Sequence, residues 1–94
     1  MAKVKTTKTL SPDRLRRALK QGLAVGGIRA TARIEHVQGL RLHRVLVTAK
    51  EFDKLDPSER QNLVWRIIDQ QFSQEEQLQI AMVLTLTPDE LNGK

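Results

Sequence analysis

Residues 28–37, IRATARIEHV, alternate between apolar and polar side chains. Ile28, Ala30, Ala32 and Ile34 point one way; Arg29, Thr31, Arg33 and Glu35 point the other. Successive side chains on a strand leave opposite faces, so this is a half-buried antiparallel strand with one polar side. Gln38-Gly39 supplies a turn, and RLHRVLVT at 41–48 is the returning strand of a hairpin. Its Val45-Leu46-Val47 run is apolar on both faces, which places this strand nearer the centre of a sheet.

The remaining segments supply the layer that such a sheet needs. Ser11, Pro12 and Asp13 form a helix start, with a hydroxyl cap, Pro at the first position and an acid at the positive end of the dipole. Leu15, Ala18, Leu19 and Leu23 make that helix's buried stripe, and Gly26-Gly27 ends it. A loop, AKEFDKL, leads to Asp56-Pro57-Ser58-Glu59, a capping box with Asp in the capping role. Leu63, Val64, Ile67, Ile68 and Phe72 then form the apolar side of a second helix, with Trp65 at its rim. Ser73-Gln74-Glu75-Glu76 is a second capping box and opens a short third helix. IAMVLTLT at 80–87 is a last strand that Pro88 terminates. The expected fold is a single small α/β (α+β) domain of order α-β-β-α-α-β. Its three-stranded mixed sheet has helices packed on one face.

Ninety-four residues, 39% of them hydrophobic, make one domain that buries roughly 60–65% of its unfolded surface. Residues 1–10 are expected to be a basic disordered tail, and 11–94 the domain. No apolar run reaches the roughly 18 residues of a membrane span, and MAKVKTTKTL lacks the apolar centre of a signal peptide. Cysteine is absent. That removes disulfides, thiolate catalysis and Cys-ligated zinc or iron–sulfur sites from the chain, and the cytoplasm is the expected location. No catalytic constellation is present: neither His lies near a nucleophile motif, and Glu75-Glu76 and Asp89-Glu90 are accounted for by capping and solvation. No enzyme activity and no cofactor are expected.

The order of elements and the local sequences resemble the BolA-like family over about residues 11–90. The resemblance rests on the strand RVLVT at 44–48, the turn Phe52-Asp53-Lys54-Leu55, the helix segment ERQNLVW at 59–65 and the closing strand LTLTP at 84–88. Phe52, Arg60, Val64, Thr87 and Pro88 match the family pattern. Where that pattern has Arg-His-Arg the chain has Arg60-Gln61-Asn62, and Gln79 stands where the hallmark His precedes the last strand. The resemblance implies a type II KH-like fold and a regulatory role. It also implies a partnership with a monothiol glutaredoxin around a shared iron–sulfur cluster; Gln79 and the lack of Cys depart from the ligands of that cluster.

Charge points to a partner of another kind. Residues 1–44 carry eleven Lys and Arg against Asp13 and Glu35, a balance of +9; residues 45–94 carry five against nine, a balance of −4. Arg14, Arg17 and Lys20 on the first helix, Arg29 and Arg33 on the first strand, and Arg41 and Arg44 on the hairpin are candidate phosphate contacts. With no Gly-x-x-Gly clamp and few aromatics, nucleic-acid binding would be electrostatic and weakly sequence-specific. His36 and His43 flank the hairpin turn. With a loop over 38–41 they are directly opposed, half of a zinc or copper site. With Glu35 on the opposite strand face, they read first as two partly exposed polar residues of a hairpin.

Overall fold

Two capped helices lie across one face of a three-stranded mixed sheet in the computed structural model, which describes residues 9–93. The order is α1 (Pro12–Val25), β1 (Ala30–Val37), β2 (Leu42–Ala49), a 3₁₀ turn (Lys50–Lys54), α2 (Pro57–Gln71), α3 (Gln74–Gln77), β3 (Ile80–Leu86) and α4 (Pro88–Leu91). The fold class and the α-β-β-α-α-β order are those expected from the sequence. The strands run β1-β2-β3, with β1 antiparallel and β3 parallel to β2.

Local chemistry sets the boundaries. The Ser11 hydroxyl accepts from the Arg14 N–H at the start of α1. Gly27, at φ +83°, turns the chain out of that helix, a left-handed conformation that glycine adopts without a Cβ penalty. Asp56 with Glu59, and Ser73 with Glu76, form the two expected capping boxes. A third, Thr87 with Glu90, opens α4. Pro88 therefore ends the last strand by starting a helix, an element the sequence reading left out. The connection between β2 and α2 holds the 3₁₀ turn, whose Phe52 is 0% exposed.

The core lies between the helices and one sheet face. Leu15, Leu19 and Leu23 of α1, Val64 and Ile68 of α2, Val45 and Val47 of β2, and Phe52 are its most enclosed members. Two expectations change. Leu10, placed in the tail by its sequence neighbours, is 1% exposed and belongs to the core, held there by its N–H donating to Gln79 Oε1 at 3.0 Å. Residues 1–8 of the expected tail lie outside the described residues. β1 begins at Ala30, although Ile28 is buried just before it.

The outer edge of β3 is closed by α2. Gln61 Nε2 donates to the Val83 carbonyl at 2.8 Å, and Arg60 Nη1 to that of Thr85 at 3.2 Å. An edge strand's free carbonyls invite pairing with another chain, and these two are already taken. Arg60 Nε also donates to the Phe52 and Leu55 carbonyls, and the guanidinium meets the Glu90 carboxylate at 2.7 Å. The Arg60 hydrogen bond, and then that from the Thr87 N–H, hold the Glu90 carboxyl below its ordinary pKa.

Candidate functional site

Among the described residues, no helix covers the second face of the sheet. Side-chain alternation sends Arg33 and Glu35 of β1, Arg44 and Leu46 of β2, and Met82 and Leu84 of β3 to that face, and they line a shallow cleft of about 330 Å³. Register brings them into rows: Arg33 opposite Leu46 and Glu35 opposite Arg44 across β1–β2, then Arg44 beside Met82 and Leu46 beside Leu84 across β2–β3. Met82 and Leu84 are 42% and 43% exposed. Leu46, expected to be enclosed as part of a central apolar run, is half-buried because only one face of its strand is covered. An apolar strip flanked by arginines is the result.

The seven basic candidates do not share one surface. Arg29, Arg33 and Arg44 belong to the open face, Arg29 by continuing the alternation of β1. Arg41 is exposed in the hairpin turn. Arg14, Arg17 and Lys20 lie on α1, in the layer on the other side of the sheet. Arg14 is moreover committed to the fold. It pairs with the buried Glu76 at 2.9 Å, lies over the Phe72 ring at 4.2 Å and donates to the Gln71 carbonyl. Arg44 pairs loosely with Glu35 at 3.8 Å. Among the described residues, Arg17, Lys20, Arg29, Arg33 and Arg41 enter no ion pair.

The histidines are paired as the hairpin register requires: His36 is the direct partner of His43, with ring centroids 5.1 Å apart. Their environments differ from the expectation of two partly exposed groups. His36 is exposed, whereas His43 is 8% exposed. Burial, and the nearby His36, push the His43 pKa below 6.5 against the opposing pull of the Gln79 backbone.

Two glutamines that looked like losses of function are structural. Gln61 caps β3, and its Oε1 accepts from the Trp65 indole at 3.2 Å. Gln79 accepts from the Leu10 N–H and donates to the Glu75 carbonyl at 3.3 Å, while its own carbonyl receives the His43 N–H at 2.8 Å. A neutral amide committed at both ends does not fit the role of an iron ligand, so an iron–sulfur cluster held at this position is not supported by these residues. The open-face strip of Leu46, Met82 and Leu84 was missed in the sequence. The sequence carried no signal for it: in β3 the polar Thr85 is buried while Met82 and Leu84 are exposed, the reverse of what their polarity suggests.

Compared with known proteins, the chain matches no family model and no curated protein.

Proposed function

We propose that this chain is a non-enzymatic, BolA-like binding module of regulatory type that meets nucleic acid through the arginines of its open sheet face. One observation carries the reading: Arg33 and Arg44 leave the sheet on a face that no helix among the described residues covers, beside an exposed apolar strip, and Arg29 is exposed just before β1. Guanidinium groups on a common surface neutralise phosphates and release counterions, which gives affinity without base readout. Arg41 extends the set at the hairpin turn. Glu35 offsets part of this charge, so binding is weak and strongly salt-dependent. The element order supports the BolA-like resemblance. Gln79, spent on the fold, lends no support to the glutaredoxin-adaptor role.

The test is titration of labelled single-stranded and duplex DNA with the whole protein at about 50 mM salt, where counterion release favours binding most. Arg29→Gln with Arg33→Gln should weaken binding and lower the salt slope by about one for each phosphate no longer neutralised. Arg17→Gln with Lys20→Gln should change it little. Undetectable binding, or a loss confined to the α1 pair, overturns the assignment.

A further inference from the structure

The histidine pair plays no part in the open face. His36 and His43 leave their strands on the other side of the sheet, near its hairpin end, and Glu35 and Arg44, one residue away on each strand, point away from them. His43 Nδ1 is shut off from water and has no hydrogen-bond partner among the described residues. A buried polar atom left in that state costs about 1–3 kcal/mol, and folds seldom retain one without a use for it.

The spacing of the rings suggests that use. Two imidazoles holding one ion through metal–nitrogen bonds of about 2.1 Å have ring centres roughly 4.5–5.5 Å apart, from adjacent square-planar to tetrahedral positions. These centres are 5.1 Å apart, with the planes inclined at 58°. The strand pairing is also irregular here. His43 pairs with Ile80 but Arg44 with Met82, so Ala81 is an extra residue in β3; bulges of this kind re-aim side chains at sites.

We propose that His36 and His43 together bind one transition-metal ion of the copper(II) or zinc class at the hairpin end of the sheet. Imidazole nitrogens suit these ions, and copper(II) binds most tightly of the divalent series. Among the described residues no third His, Cys, Asp or Glu joins the pair. Water completes the coordination from the side of the exposed His36. His36 lies at the surface and His43 is enclosed.

Calorimetric titration of the whole protein with copper(II) at about pH 7.5 should give one ion per chain. The electron paramagnetic spectrum should show coupling to two imidazole nitrogens. His36→Ala sits at an exposed position and should keep the fold by circular dichroism. It should weaken binding about tenfold or more, since even an outer-shell loss costs metal sites that much. His43→Asn should do the same, read against its own stability. No binding by the unaltered chain, or equal affinity in His36→Ala, overturns the site.

Discussion

The two faces of one sheet treat arginine in opposite ways. On the helix-covered side Arg60 is buried, and its guanidinium is engaged by the carbonyls of Phe52, Leu55 and Thr85 and the carboxylate of Glu90. On the open side Arg33 has no ion-pair partner among the described residues, and Arg44 has only a distant one in Glu35. A buried charge persists only with its hydrogen bonds met; an exposed one leaves its donors available to a ligand. Side chains of one type are thus structural on one face and free for binding on the other. The covered side should register substitutions as stability, and the open side as binding.

The sharpest division is expected at Arg60. Arg60→Met keeps much of the length but takes the guanidinium from the Leu55 and Thr85 carbonyls, at about 1–3 kcal/mol for each acceptor left dry, while the Phe52 carbonyl keeps the Leu55 N–H. Water will reach some of them, so a loss of about 3 kcal/mol in urea unfolding is expected. A loss below about 1 kcal/mol would mean that solvent replaces the guanidinium, and the contrast between the faces would collapse. Arg33→Met on the open face, in the same assay, should barely register.

A smaller effect belongs to the packing of α1 on α2. A Cβ at Gly22 would stand 2.8 Å from Ile67 Cδ1 and 2.9 Å from its Cγ1. Alanine favours a helix over glycine by about 1 kcal/mol, while overpacking costs about 1–3 kcal/mol. Ile67 is buried and has little room to swing away. Gly22→Ala should therefore lower the melting temperature despite its better propensity; a rise would show that the helices separate easily.

Gly22 also marks where the sequence stopped being legible. The strands, the capped helices and their order could be read because period and capping are local properties. So could the opposition of His36 and His43, which follows from the length of one turn. The close approach at Gly22 depends on where a second helix lies. The same limit applied to the basic residues. The alternation placed Arg29 and Arg33 together, but a sheet stands between them and Arg17 and Lys20. Gln61 and Gln79 read as missing histidines because the groups they serve, on Val83, Trp65 and Leu10, are set by the folded chain and not by the local pattern. Leu46 read as enclosed, and Met82 and Leu84 were given no face, because hydrophobicity does not say which of two faces a helix will cover.

The smallest expected change in stability is at Leu84, and it is the most telling for the open face. Its side chain is 43% exposed, and surface substitutions of this kind fall within about 0.5 kcal/mol. Lysine is somewhat disfavoured in strands, but on a lightly packed edge strand that preference amounts to a few tenths of a kcal/mol. Leu84→Lys should therefore leave the unfolding midpoint almost unmoved. On the surface assigned to nucleic acid it adds a cation to the strip between the arginines. Binding to DNA should tighten, and the salt dependence should steepen by about one counterion. If the face instead takes a protein through its apolar strip, the same substitution weakens that association and leaves DNA binding flat. One nearly silent change in folding thus separates a face that works by charge from one that works by its leucines and methionine.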